Sequence, residues 1–367
     1  MKLAFVIKTL DSRGGGAERV LTQVSGELVR RGHQVTLVTF GAPEERDFYP
    51  VDPDIRRIWL HAGDVQAPTR PFEFVARVRG LRRVLRELAP DVAIGFMHSA
   101  YVPLALAMAT TRVPVVASEH TVFRHFLKRP FDLISLFATA RLYAFITTIS
   151  AVTKATFPRA LAKRMIVIPN PVAPIESLAD PVGGASKIIL NVGRLDGPKD
   201  QRTLIQAFAR LATDYPDWIL RIVGQGPLKR ELRKLADDLN LGNRVQLAGL
   251  SENIEEEYRS AHLFAMPSIY ESFGLATAEA LSAGLPALGF ADCPGTSELI
   301  EHGVNGFLVE GSDRVAALAE GLARLMASPE LRQRMGAAGP GSVEQYSLNA
   351  IGAEWERMLG RMLHWSV

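Results

Sequence analysis

Two glutamates stand eight residues apart, Glu271 and Glu279, in the run Pro267-Ser268-Ile269-Tyr270-Glu271-Ser272-Phe273-Gly274-Leu275-Ala276-Thr277-Ala278-Glu279-Ala280. The apolar residues Leu263 to Met266 before them read as a strand, and the residues after Gly274 read as a helix. A helix start offers unpaired N–H groups and a partial positive charge, a natural seat for a phosphate. With Glu279 on the helix and Glu271 just before it, the pair spans roughly 12 Å at the helical rise. One carboxylate can then meet a sugar on one side of a diphosphate while the other meets a ribose on the far side. An ordinary acidic surface helix would show the same spacing, so the neighbours decide.

A second group is Asn191-Val192-Gly193-Arg194-Leu195-Asp196-Gly197-Pro198-Lys199-Asp200. A strand ends in glycine and then offers Arg194 and Lys199 before a helix. A forked guanidinium and a point-charge ammonium together suit a pyrophosphate. Val223-Gly224-Gln225-Gly226 and Ala248-Gly249-Leu250 also follow strands and could wall a base pocket through backbone groups. Near the start, Asp11-Ser12-Arg13-Gly14-Gly15-Gly16-Ala17-Glu18-Arg19 is a glycine-rich loop that lets backbone approach a ligand closely. It lacks both the G-x-G-x-x-G spacing and the Lys-Ser/Thr of a P-loop, so a flexible turn stays open as its reading. His120 follows Val115-Val116-Ala117-Ser118-Glu119, again past a strand end, and His98 is the fallback with similar placement. Asp52-Pro53-Asp54 reads as turn chemistry, and no His/Cys cluster suggests a metal. Neither a nucleophile elbow nor a Ser/His triad signature is present.

Between residues 70 and 88 an amphipathic helix carries Arg79, Arg82, Arg83 and Arg86 along one side and Phe74, Val78, Leu81 and Leu85 along the other. Such a basic face can bind phosphates or anionic lipid heads. Thr121-Val122-Phe123-Arg124-His125-Phe126-Leu127-Lys128-Arg129-Pro130-Phe131 mixes aromatics with cations, as a membrane interface or a core helix would.

These residues need a scaffold, and the chain supplies one. Strand-like runs fall at Leu3–Ile7, Gln34–Phe40, Ile55–Leu60, Asp91–Phe96, Val113–Ala117, Ala144–Ile149, Met165–Ile168, Lys187–Val192, Trp218–Val223, Val245–Leu247, Leu263–Met266, Pro286–Phe290 and Gly306–Val309, with helical patterns between most of them. That alternation predicts an α/β chain with parallel sheets covered on both faces. Residues 171–186 hold three prolines and two glycines and no strand, so they read as a linker. The expected organisation is a domain over 1–170, the linker, a domain over 187–346 and a closing helix over 347–367 that crosses back to the first domain. Two doubly wound domains would face each other across a cleft. The 367 residues are 47% hydrophobic and 22% charged, a globular composition. One cysteine excludes an internal disulfide framework and suits a reducing compartment. The net charge of +3 hides an asymmetry: residues 1–170 hold 24 Lys and Arg against 14 Asp and Glu, while the remainder holds 18 against 25. A negatively charged surface or substrate is expected on the basic half only. The longest apolar stretch, Phe131 to Val152, is interrupted by Asp132 and Arg141, so no transmembrane helix is expected.

Taken together, the motifs resemble the retaining glycosyltransferases of family 4, which have the two-domain GT-B fold. The resemblance rests on Gly14-Gly15-Gly16-Ala17-Glu18-Arg19, Ser118-Glu119-His120, Ile168-Pro169-Asn170-Pro171, Gly193-Arg194-Leu195 with Lys199, Glu271 through Glu279, and His302-Gly303-Val304-Asn305-Gly306-Phe307-Leu308-Val309. The first two are similar to bacterial enzymes that extend glycans on polyprenyl diphosphate. The resemblance implies that Glu279 holds ribose hydroxyls and that Arg194 and Lys199 neutralise the diphosphate. Backbone around Ser272, Phe273, Gly274 and Leu275, with Gly15 and Gly16, would cradle phosphate and sugar, and Gly249 with Leu250 would wall the base. His120 and Glu271 would line the transferred sugar. Arg79, Arg82, Arg83 and Arg86 are the candidate acceptor contacts. Asp292-Cys293-Pro294-Gly295-Thr296 departs from the Gly-Gly that many relatives carry there, which puts the donor sugar in question.

The expected activity is sugar transfer from a nucleotide diphosphate sugar, UDP-linked, to a lipid-linked saccharide in cell-surface glycan assembly. No cofactor, no metal and no nucleic-acid partner are expected. The implied location is the cytoplasmic face of the inner membrane, held peripherally. A UDP-sugar epimerase of the same architecture, a transferase with a soluble acceptor, and a non-enzymatic nucleotide-sugar binder are the rival readings.

Overall fold

The computed structural model describes residues 1–11, 16–44, 47–67, 69–173, 175, 177–184 and 186–362. The chain divides into two compact units, Met1–Pro171 with Leu348–Val367, and Val172–Ser347.

The first unit contains β1 (Lys2–Ile7), α1 (Gly16–Arg30), β2 (Gln34–Thr39), β3 (Arg56–Trp59), α2 (Pro71–Leu88), β4 (Val92–Phe96), α3 (His98–Met108), β5 (Val115–Glu119), α4 (Phe123–Leu127), α5 (Pro130–Thr139), β6 (Phe145–Thr148), α6 (Ala151–Ala155), α7 (Arg159–Ala162) and β7 (Met165–Val167). Its sheet runs in the order β3-β2-β1-β4-β5-β6-β7, with every pair parallel. Both faces of β1 are apolar, as a parallel sheet covered on both sides requires. Ala4 and Val6 point into the core made with α2, α3 and α5, while Leu3, Phe5 and Ile7 point into the opposite core.

The second unit contains β8 (Lys187–Val192), α8 (Gln201–Ala209), β9 (Trp218–Val223), α9 (Lys229–Asp238), β10 (Val245–Gly249), α10 (Ile254–Arg259), β11 (Leu263–Met266), α11 (Leu275–Ser282), β12 (Ala287–Phe290), α12 (Pro294–Ser297), β13 (Gly306–Val309), α13 (Arg314–Ala327) and α14 (Pro329–Val343). Its sheet order is β10-β9-β8-β11-β12-β13, again all parallel. The fold is thus two Rossmann-like α/β units, and each run expected as a strand is one, with ends shifted by a residue or two. The last helix, α15 (Leu348–Gly360), belongs to the first unit. Its Trp355 stacks on Phe96 at 5.9 Å, and its Glu356 accepts from Arg31 at 2.7 Å.

One local reading changes, and one helix gains a feature that its sequence did not show. The Pro- and Gly-rich stretch expected as a linker is bonded into the second unit where it is described. Ala179 N donates to Ala283 O at 2.8 Å, Pro181 O accepts from Arg332 Nε at 2.7 Å, and Gly183 O pairs with His262 Nε2 at 2.6 Å. Composition had suggested a free connection, but prolines and glycines also suit an irregular segment laid on a surface. In α2, the cations are not all on the outer face. Arg77 is buried, its guanidinium 4.9 Å above Phe40 and its Nε donating to Ala62 O at 3.0 Å. Glu73 is buried too, accepting from Arg70 N at 2.8 Å to cap the helix start, and so does not offset the exposed arginines.

Candidate active site

In the second sheet, β8 continues towards β9 on one side while β11 continues towards β12 on the other. Loops that leave neighbouring strands in opposite directions open a crevice at the strands' carboxyl ends, the usual ligand position in such folds. Here those loops are Gly193–Lys199 after β8 and Pro267–Gly274 after β11, and they carry the acids and cations singled out in the sequence.

Lys199 and Glu271 are in contact. Lys199 Nζ donates to Glu271 Oε1 at 2.6 Å, and Ser268 Oγ donates to the same oxygen at 2.6 Å. The two loops are also tied through backbone, with Ile269 N donating to Pro198 O at 2.9 Å. Arg194 behaves differently: its side chain is 71% exposed and lies 3.4 Å from Asp196. One cation is therefore engaged with the site's carboxylate, and the other is exposed to solvent beside Asp196. Glu279 is buried on α11, where Oε2 accepts from the hydroxyl of Tyr258 on α10 at 2.8 Å. Gly274 precedes α11 with φ 83°, a left-handed conformation that suits glycine, and Leu275 is the first helical residue. Ser272 is half-buried, and Phe273 is buried edge-on to Tyr346 at 5.1 Å.

The glycine-punctuated strand ends form the neighbouring wall. Gly224 has φ 146°, and a Cβ there would fall 2.0 Å from Gly193 O. Gly224 N donates to Gly249 O at 2.7 Å, with Leu250 half-buried beside it. The departing loop after β12 touches the site directly: Gly295 N donates to Glu271 O at 3.2 Å, and a Cβ on Gly295 would sit 2.7 Å from that oxygen.

Arg314 was not visible in the sequence. Its Nη1 donates to both carboxylate oxygens of Asp292 at 3.0 Å, and its Nη2 donates to Pro267 O and Ser268 O at 3.1 Å. Its guanidinium lies 3.5 Å over the Phe290 ring, and Nε is 3.8 Å from Asp200, the cap of α8. One side chain thus fastens the loops that follow β8, β11 and β12. Nothing in its local sequence distinguished it from other surface arginines, because its partners lie far away in the chain. Tyr258 escaped for the same reason, since its partner Glu279 belongs to another helix, whereas Ser268 stood three residues from Glu271 in the run already singled out and was given no role.

In the first unit, His120 follows β5. Its ring stacks on Phe96 at 5.2 Å, and its Nε2 pairs with Ser118 Oγ at 3.0 Å. Desolvation by burial pushes its pKa down to about 4, so the imidazole is neutral at neutral pH. Glu119 turns inward, accepting from Tyr101 Oη at 2.6 Å and Thr121 N at 2.8 Å, and burial raises its pKa. His98 follows β4 and is tied at 3.0 Å to Ser135 Oγ. Burial lowers its pKa as well. Met97 before it has φ 68°, an unusual conformation for a side chain of this kind. Gly16 opens α1, and Gly15 lies outside the described residues. Arg79, Arg83 and Arg86 are exposed on α2, and Arg82 is half-buried and bonds Thr110 Oγ1. Among the described residues, no group of three His, Cys, Asp or Glu side chains is placed to hold a metal ion.

Comparison with known proteins agrees with this arrangement. Residues 14–174 match the model for Glycosyltransferase Family 4, and residues 180–341 match the model for Glycosyl transferases group 1. An uncharacterised glycosyltransferase of Haemophilus influenzae is 28% identical over 98% of this chain and 99% of its own. A Campylobacter jejuni enzyme is 24% identical over 99% of both chains. Its name is GalNAc-alpha-(1->4)-GalNAc-alpha-(1->3)-diNAcBac-PP-undecaprenol alpha-1,4-N-acetyl-D-galactosaminyltransferase. Among solved structures, Anabaena HepE in complex with UDP and glucose superimposes with a TM-score of 0.79 at 20% identity, covering 98% of this chain and 99% of its own.

Proposed function

Since the chain is a glycosyltransferase of the GT-B type, with a family 4 domain followed by a group 1 domain, we propose that it moves a sugar, with retention, from a UDP-sugar to a lipid-linked saccharide. The observation that carries this reading is the cluster at the β8 and β11 ends, where Lys199 and Ser268 hold Glu271 and Arg194 reaches outward. Arg194, Lys199 and the start of α11 supply positive charge where negative charge develops on a departing diphosphate. Glu279, fixed by Tyr258, is assigned to the ribose hydroxyls. Gly249 and Leu250 are assigned to the base. Glu271 is assigned to the transferred sugar near its reacting carbon, and so is neutral His120 from the first unit. In this reading the side chains and helix dipole take the part of a metal, and no cofactor is used.

The donor assignment is supported by the HepE complex, which holds UDP and glucose. A lipid-linked acceptor is supported by the Campylobacter relative, named for a PP-undecaprenol substrate. Arg79, Arg82, Arg83 and Arg86 are assigned to the acceptor's diphosphate. Use of such an acceptor implies peripheral association with the inner face of the membrane, in the service of cell-surface glycan assembly. No described helix is long and apolar enough to cross a membrane.

The test is incubation with UDP-sugars, with and without a polyprenyl-diphosphate saccharide, followed by NMR of the product. The expected result is an acceptor-dependent product with the donor's anomeric configuration. An isomerised UDP-sugar formed without acceptor, or an inverted linkage, would overturn the proposal.

A further inference from the structure

Helix α5 is apolar on its outer side and carries its polar side chains inward, beside Leu133 and Leu136 of the core. Its polar side chains are engaged: Ser135 Oγ pairs with His98 at 3.0 Å, Thr139 Oγ1 pairs with the Tyr143 hydroxyl at 2.7 Å, and Asp132 lies 3.8 Å from His98. Its outward stripe consists of Phe131, Ile134 and Phe137, which are 85%, 65% and 45% exposed. Leu127 of α4 adds a fourth large apolar side chain at 60%. Single exposed hydrophobics are ordinary, but a contiguous stripe on a helix whose Ser135, Thr139 and Asp132 are all engaged within its own unit is not.

The surrounding charge selects what covers this stripe. Residues 120–164 contain eight Lys and Arg against a single acid, Asp132. Arg124, Lys128, Arg129 and Arg141 are exposed on α4 and on the segments that flank α5, with Arg129 3.7 Å from Asp132. So strong an excess of one sign disfavours a second copy of the same face, because like charges would meet. Apolar side chains ringed by cations match an anionic lipid surface, with acyl chains beneath phosphates.

We infer that α4 and α5 form a docking surface for an anionic bilayer leaflet. Leu127, Phe131 and Ile134 enter the acyl boundary, and Arg124, Lys128, Arg129 and Arg141 meet the headgroups. This deepens the membrane association proposed above and rests on that reading in preferring lipid to a protein partner. It also separates two basic surfaces: the arginines of α2 are assigned to the acceptor, and the α4–α5 face to the bilayer itself.

The experiment is sedimentation of the full chain with vesicles of phosphatidylcholine, with or without phosphatidylglycerol. These vesicles contain no sugar acceptor, so binding reports docking independently of transfer. Wild type is expected to bind the anionic vesicles and to release them as salt rises. Phe131→Ser/Ile134→Ser should weaken binding by at least about tenfold. Arg124→Gln/Lys128→Gln/Arg129→Gln should weaken it by about a hundredfold, at roughly fivefold per cation. Both variants should keep the wild-type Tm, and the charge variant decides alone if the apolar one does not fold. Wild-type failure to bind anionic vesicles, or variants that bind as wild type does, would overturn the inference while leaving transfer to a lipid-linked acceptor standing. A wild-type dimer that Phe131→Ser/Ile134→Ser dissociates would also overturn it, by showing that a second copy covers the stripe.

Discussion

Glu271 is a carboxylate with its position fixed and its charge answered. Lys199 and Ser268 hold one oxygen, and Gly295 N binds its backbone carbonyl. Lys199→Ala removes both the proposed phosphate partner and the cation that Glu271 faces. Loss of one preorganised charge of this kind costs about 10²–10³ in turnover. Steady-state transfer should fall by that factor while far-ultraviolet circular dichroism stays unchanged; full turnover would contradict the assignment. Arg314 acts through its neighbours. Arg314→Ala should raise KM for the nucleotide sugar, and Arg314→Lys should restore little, because a single ammonium cannot replace the bidentate and backbone contacts. Rescue by lysine would mean that charge alone matters there. His120 gives a pH signature. Its folded pKa of about 4 lies below the ordinary histidine value, so between those values the unfolded state binds more protons. Wild type should therefore lose stability relative to His120→Asn as pH falls from about 6.5 towards 4, and show no difference in slope above that range. Denaturant titrations across pH read this directly. At this scale the sequence singled out Glu271, Glu279, Arg194 and Lys199 by their position, each just past a strand or on the following helix, and that is where the structure places them. It did not reveal the Lys199–Glu271 contact or Arg314, since both depend on residues brought together from distant segments.

Among the elements, the strands were the most legible. Short apolar runs between helical patterns need burial on both faces, and only a parallel sheet offers it to all of them. Glycines at strand ends were legible as punctuation, but not as steric requirements. At Gly295 an added methyl would meet the Glu271 carbonyl, and at Gly224 it would meet Gly193 O. Gly295→Ala should therefore shift the loop bearing Glu271 and abolish protection by UDP against thermal unfolding, with a loss of about 1–3 kcal/mol in stability. Unchanged protection would show that the loop tolerates the displacement. The stretch 171–186 was misread, and buried Arg77 was passed over, for a common reason. Composition reports what a residue usually does, whereas Arg332, Ala283, Phe40 and Ala62 supply the partners that decide these cases.

The whole chain is two α/β units, with the last helix returned to the first. Trp355 is buried against Phe5 and Phe96, so α15 completes a core that residues 1–171 alone would leave open. Trp355→Ala should cost about 3–5 kcal/mol. It should lower the unfolding midpoint of the first unit, read by denaturation with fluorescence and circular dichroism; a change under about 1 kcal/mol would show that the helix is peripheral to that core. The charge asymmetry between the halves was legible from counting alone. Its concentration beside apolar side chains was legible only in part: residues 121–131 read equally as a membrane interface or a core helix, and Ile134 and Phe137, which extend the exposed stripe along α5, fell outside that reading. The central claim is that the carboxyl ends of the second sheet hold the nucleotide sugar. Hydrogen exchange of the full chain with saturating UDP tests it most directly. Slower exchange is expected in residues 193–200, 249–250 and 272–279. No slowing in those segments, or slowing confined to the first unit, would contradict it.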